Sequence, residues 1–251
     1  MVSLYSKIVS LVYILLLKNN FVHAGKRVRI FSGQETYIEK HPWIVSLLHP
    51  SDGMHNCGGS LINADTVITA AHCVHNKTSE PVSIIAGTSE WAHPGTIIKI
   101  KSISMHENFS TDGRTAKNDI AIIKLAEKVK FSNKIQPIKL PPETTKLSEG
   151  TSLTIAGWGQ TTIWNSLFGT PTMTLMEAKV TVSKSENERI IITSDRSGSC
   201  PGDSGGPLEL NGMLVGIVSS GRRYCTDFFP ISSSYTNVAF FRTWITEKLE
   251  G

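Results

Sequence analysis

Apolar residues in this chain gather in short runs separated by Gly, Pro, Asn, Asp and Ser, and they seldom recur at helical spacing. Runs at 43–48, 60–70, 82–86, 96–103 and 119–125 form one series, and those at 152–156, 178–182, 208–210 and 213–219 form a second. Many short strands with turn signals between them predict an all-β barrel or sandwich. Two segments break the pattern. Val238, Phe241, Trp244, Ile245 and Leu249 recur at helical spacing, which predicts a C-terminal α-helix packed on the strands. At the other end, Ile8 to Leu17 is a continuous apolar run with Lys7 ahead of it and Val22-His23-Ala24 behind. That run is short for a bilayer span and is followed by a small residue suited to signal peptidase. Residues 1–24 therefore read as a secretory signal cut after Ala24, and the protein as secreted and extracellular.

Charge changes the picture once the leader is set aside. The whole chain carries a formal +4, but residues 1–29 hold five Lys or Arg and no acid, leaving 20 basic against 21 acidic residues. A mature chain near −1 gives no electrostatic footprint for nucleic acid or for an anionic membrane. No zinc-like Cys/His spacing and no phosphate loop occurs, so neither a metal nor a cofactor is expected.

The chemistry sits in Gly202-Asp203-Ser204-Gly205-Gly206-Pro207. Glycines around a serine permit a tight turn whose N–H groups converge beside the hydroxyl, as acyl transfer requires. A serine hydroxyl is a weak nucleophile, so a base must take its proton and a third group must orient that base. His72, in Thr69-Ala70-Ala71-His72-Cys73, is the base candidate, and Asp119, in Asn118-Asp119-Ile120-Ala121, is the orienting acid. Singly each has a bland reading: a structural histidine, a turn acid, a plain turn.

Taken together in the order His, Asp, Ser, the three segments resemble the chymotrypsin/trypsin family of serine proteases, over a span from Ile30 to about Leu249. The resemblance implies two packed six-stranded antiparallel β-barrels with a C-terminal α-helix, a crossover near 140–143, and a single catalytic domain over 30–251. It implies peptide hydrolysis by His72, Asp119 and Ser204, with the oxyanion received by the N–H groups of Gly202 and Ser204. Residues 25–29 become an activation peptide: cleavage after Arg29 would free Ile30, whose new amino group would pair with Asp203. Gly198 stands where trypsin-like members place an aspartate, followed by Ser199. With Ser219, Gly221 and Ile231 these residues form the implied substrate pocket, which favours chymotrypsin-like or elastase-like cleavage after apolar residues. Asp195 and Asp227 keep a trypsin-like alternative open.

Four cysteines in a secreted chain imply two disulfides with three connectivities. The resemblance selects Cys57–Cys73 and Cys200–Cys225. Of two further bridges common in the family, one position is taken by Leu153 and Leu210, where an apolar contact would replace the covalent link. Asn76 and Asn108 begin N-glycosylation sequons. Protein or peptide substrates, an activating protease and serine protease inhibitors are the implied partners of a monomer. The contrasting class is a protease-shaped binding protein without turnover, to which Ser32, Ser220, the longer Pro230-Ile231 stretch and the missing second family bridge between Gly159 and Gly198 point.

Overall fold

The computed structural model describes residues 33–49, 51–75, 83–93, 95–113, 115–160, 172–194, 197–221 and 231–250. The first series of strands closes on itself. Strands β2 (Ile44–Leu48), β3 (His55–Asn63), β4 (Thr66–Thr69), β5 (Ser83–Ala86), β6 (Thr96–Met105) and β9 (Ala121–Leu125) form a barrel in the order β2-β3-β4-β9-β6-β5. All neighbours are antiparallel. The apolar runs explain the closure, because Val45, Leu47, Leu61, Val67, Ile84, Ile98, Ile123 and Leu125 fill a common core. The run at 60–70 is two strands, divided by the turn at Ala64 and Asp65.

The second half is an eight-stranded antiparallel sheet. Its order runs β1 (Gln34–Glu35), β11 (Met176–Thr181), β10 (Ser152–Gly157), β14 (Pro207–Leu210), β15 (Met213–Ser220), β16 (Ile231–Asn237), β13 (Arg189–Ser194), β12 (Lys184–Glu186). Of the two six-stranded barrels expected, one is therefore closed by hydrogen bonds, and the second half is an open sheet among the described residues. The edges explain this. β1 occupies the free side of β11, and β12 at the far end is a short polar Lys-Ser-Glu strand. The ends are instead held together by side chains, since Val180 and Val182 share one core cluster with Ile190 and Ile192. Leu153 is buried in the same cluster and Leu210 packs against it, at the positions where the family has a covalent link.

The helix at the C-terminus, α2, spans Arg242–Glu250 and begins later than its apolar spacing suggested. Val238 and Phe241 lie in the preceding turn, buried with Trp244 and Ile245 against the first barrel. A hairpin of β7 (Ser110–Thr111) and β8 (Ala116–Lys117) projects from the first half. No helix among the described residues is long and apolar enough to cross a membrane.

The two halves are laced through the glycine turn. Gly58 N–H on β3 donates to the Ser204 carbonyl at 2.7 Å, and Gly205 N–H donates to Val218 on β15 at 2.8 Å. Gly205 adopts φ +77°, and a Cβ there would collide with the Thr69 hydroxyl and the Gly58 carbonyl. Gly205→Ala should therefore cost about 2 kcal/mol or more, from strained backbone and overpacking together. Urea unfolding with an unchanged midpoint would show that the turn relaxes freely.

Candidate active site

His72 lies in α1 (Ala71–Val74), a single helical turn after β4. Its N-cap, Ala70, has no side chain to satisfy the first N–H groups, and Asp119 supplies that role from a distance. Asp119 precedes β9 and follows Asn118, which is held at φ +49°. One carboxylate oxygen accepts the His72 backbone N–H at 2.9 Å, and the other accepts the Nδ1 proton at 2.7 Å. The carboxylate is buried to 2% exposure and also accepts the Ser219 hydroxyl at 2.6 Å, while its backbone carbonyl accepts the Thr236 hydroxyl at 2.8 Å. A carboxylate can only accept, so His72 carries its proton on Nδ1 and presents Nε2 as a base.

Ser204 reaches the same place from the other half of the chain. His72 and Ser204 line one cleft of about 450 Å³ with Ser199, Ser219, Ser220 and Gly221. His72 Nε2 lies 3.8 Å from Cys73 Sγ, and among the described residues the Ser204 hydroxyl makes no hydrogen bond to His72. Such bonds are often long until substrate tightens them. The Cys57–Cys73 disulfide, with an S–S distance of 2.07 Å, fastens α1 to β3. Cys200 is likewise disulfide-bonded, and its implied partner Cys225 lies outside the described residues.

The turn before Ser204 is preorganised. Gly202 takes φ +98°, and neither its N–H nor that of Ser204 is committed to a partner among the described residues. Its carbonyl is held in the opposite sense by a residue that motif reading missed. His55 Nε2–H on β3 donates to it at 2.8 Å, and Ser46 on β2 donates to His55 Nδ1 at 2.7 Å. His55 is enclosed beside Trp91 and Trp158, and burial lowers its pKa to about 4 against the opposing pull of the Gly202 carbonyl. Nothing in the spacing around His55 announced this role, because its partners come from β2 and from a turn 147 residues away.

Asp203 points away from the cleft into the protein. Its oxygens accept the N–H groups of Gly159 at 2.8 Å and Cys200 at 2.9 Å. A Cβ at either Gly157 or Gly159 would strike this carboxylate, so the glycines make room for it. Burial pushes Asp203 up to about 6, and the two N–H bonds only partly oppose that effect. No ion pair reaches it among the described residues.

Of the remaining expected positions, Ser199 and Gly221 face each other across the cleft wall: a Cβ on Gly221 would lie 2.8 Å from the Ser199 carbonyl. Gly198 is buried next to Ser199 in the chain. Ile231 opens β16, and its side chain, like Arg29, Ile30, Asn76, Asp195 and Asp227, lies outside the described residues. Asn108 is exposed in the turn before β7, with only its backbone engaged.

With this geometry in view, a family model described as Trypsin matches residues 30–245. The chain belongs to the trypsin family of serine proteases. It is 33% identical to Trypsin alpha of Drosophila melanogaster over 86% of each chain. It is 32% identical to Trypsin of Phaedon cochleariae over 91% of this chain and 92% of the relative. Among solved structures, human heparin binding protein superposes with a TM-score of 0.75 at 25% identity, covering 88% of this chain and 97% of the other. This trypsin-family chain thus has relatives named Trypsin and shares its fold with a protein named for heparin binding.

Two buried groups set opposing pH responses. His55, depressed from 6.5 to about 4, contributes stability that is present above about 6.5 and lost as pH falls through 4. Asp203, raised from 3.8 to about 6, contributes stability that is full below about 3.8 and lost as pH rises through 6. The two slopes largely cancel between pH 4 and 6.5. Asp203→Asn removes one of them, so its urea midpoint should fall more steeply on acidification than that of the wild-type chain. Parallel midpoint profiles would show that the carboxylate does not titrate in that window.

Proposed function

We propose that this chain is a secreted serine endopeptidase that works through an acyl-enzyme on Ser204. The observation that carries this reading is the two-point grip of Asp119 on His72, backbone and ring, beside Ser204 in one cleft. In the mechanism, Ser204 Oγ attacks the peptide carbonyl carbon as His72 Nε2 takes its proton, and His72 then gives that proton to the leaving amine. Water repeats the sequence on the ester. Asp119 keeps the tautomer and stabilises the imidazolium, and Ser219 and Thr236 keep Asp119 in place. The uncommitted N–H groups of Gly202 and Ser204 receive the oxyanion, each such donor being worth about 2.7–4 kcal/mol in serine proteases generally.

Secretion follows from reading residues 1–24 as a signal, and latency from reading 25–29 as an activation peptide. A trypsin-like activating protease cleaves after Arg29, and the amino group freed at Ile30 pairs with Asp203. The buried carboxylate at about 6 supports this, because no cation reaches it among the described residues and it gains from one. The active form is a monomer open to serine protease inhibitors and glycosylated at Asn76 and Asn108. None of the described residues lining the cleft is acidic, so a substrate Lys or Arg would enter without a counter-charge. The reading accordingly favours uncharged, apolar side chains, in contrast to the names of the relatives.

A second reading is a binding protein on the same fold. Ser32 and Ser220, where the family has other residues, favour it, as does the printed name of the heparin binding protein. An organophosphonate separates the two. It should label the chain cleaved after Arg29 at Ser204 and leave Ser204→Ala unlabelled, with hydrolysis reduced at least about a thousandfold in that variant. Absence of label on the cleaved wild type favours the binding protein. Arg29→Gln should stay inactive after treatment with a trypsin-like enzyme, and full activity in that variant would remove the proposed latency. On a peptide panel, Leu, Phe, Tyr, Met and Ala should outpace Lys and Arg, and a clear lead for the basic residues would show that an acid enters the pocket.

A further inference from the structure

The turn that carries Asp119 is held from the second half of the chain. Asn118, the residue before it, sits at φ +49°, a left-handed conformation that asparagine tolerates. Its N–H donates to Glu188 Oε2 at 3.2 Å, and its side-chain amide donates to the Asn108 carbonyl at 2.8 Å. Two residues earlier, the carbonyl of Ala116 on β8 accepts from the Arg189 guanidinium. Glu188 and Arg189 are adjacent at the start of β13, and neither lines the cleft that holds His72 and Ser204, although Ala116 does.

The pair is itself fixed. β12 and β13 are joined by a tight turn at Asn187 and Glu188, with Asn187 at φ +42°. Asn237 closes that turn from β16, its N–H donating to the Glu188 carbonyl at 2.8 Å and its side-chain amide to the Asn187 carbonyl at 2.8 Å. Thr236, just before it, holds the Asp119 carbonyl and faces Arg189 across the β13–β16 register. Arg189 Nε lies 3.7 Å from Glu188 Oε1, so one Glu188 oxygen faces the guanidinium and the other is left for Asn118. Asn118, Asp119, Glu188 and Arg189 line one cavity of about 10 Å³ with Ser219 and Thr236, so the pair shares the surroundings of Asp119 itself. The two bonds from His72 need the Asp119 carboxylate at one distance and one angle, and a displacement of about 1 Å costs about a hundredfold in rate. Thr236 fixes the carbonyl of Asp119, and Glu188 and Arg189 fix the peptide groups ahead of it.

We infer that Glu188 and Arg189 are positioning residues for the Ser204 reaction, setting through Asn118 and Ala116 the place from which Asp119 reaches His72. This rests on the proteolytic reading, and it assigns part of the alignment to two residues outside the cleft and outside the three motifs. The test uses the chain cleaved after Arg29. Glu188→Leu removes the acceptor, Glu188→Gln keeps an amide oxygen for the Asn118 N–H, and Arg189→Met releases Ala116. Glu188→Leu should lower kcat about tenfold with KM unchanged, and Glu188→Gln should restore kcat to within about twofold of wild type. Arg189→Met should lower kcat and also raise KM, because Ala116 lines the cleft. A loss of fold stability alone would move the urea midpoint and leave kcat per folded molecule as it was. The Nδ1 proton on the 2.7 Å bond from His72 to Asp119 gives a readout that needs no turnover, since a proton in a short charged hydrogen bond is strongly deshielded in proton NMR. Its resonance should persist in wild type and Glu188→Gln and be broadened by exchange with water in Glu188→Leu and Arg189→Met. If the wild-type chain hydrolyses nothing, the proteolytic reading falls and this resonance alone decides the positioning. Where one of the two disruptive variants does not fold, the other decides by the same readouts. Wild-type kcat in both Glu188→Leu and Arg189→Met, or a resonance unchanged in both, overturns the assignment.

Discussion

The buried carboxylate of Asp119 is the point at which the two halves of the molecule meet. Its side chain holds α1 by the backbone and ring of His72, both from the first barrel, and takes the hydroxyl of Ser219 from β15. Its carbonyl takes Thr236 from β16. A buried carboxylate is tolerable only when its lone pairs are used, and here the groups that use them come from both halves. These bonds join the halves at the cleft. His72, on a helix too short to hold itself, inherits its position from the same contact.

The glycine turn is constrained by a separate set of forces. His55 pulls the Gly202 carbonyl inward, Asp203 is drawn down by the N–H groups of Gly159 and Cys200, and Gly58 N–H fixes the Ser204 carbonyl. Three carbonyl or carboxylate groups are thus tied on the protein side, and the N–H groups of Gly202 and Ser204 have no partner among the described residues. Donors left free in a fixed turn are what the proposed oxyanion site requires. The proton balance of His55 and Asp203 belongs to the same arrangement. A neutral imidazole and a carboxylate that resists ionisation are both what burial produces, and no counter-ion reaches either among the described residues.

Much of this was legible in the chain itself. The short apolar runs marked nine strand segments, the Cys57–Cys73 link was implied by resemblance and is present, and His72, Asp119 and Ser204 were named from three local motifs. β13 and β16 were not among the runs read as strands. β16 reads Ile-Ser-Ser-Ser-Tyr-Thr-Asn, and its serines look like loop residues until the strands on either side bury them. The closure of the second half was also overestimated, because whether a sheet closes depends on which edges pair, and a run of apolar residues carries no information about its neighbour.

What the sequence by itself determined is therefore local: the candidate nucleophile, base and acid, and where most of the strands lie. The tertiary structure alone decided that Ser46 and His55 would hold the Gly202 carbonyl and that Asp203 would be buried between Gly157 and Gly159. The reason is physical. Periodicity reports the face on which a residue lies, whereas a hydrogen bond between positions a hundred or more apart depends on register and on the desolvation that packing imposes, and neither exists until the chain has folded.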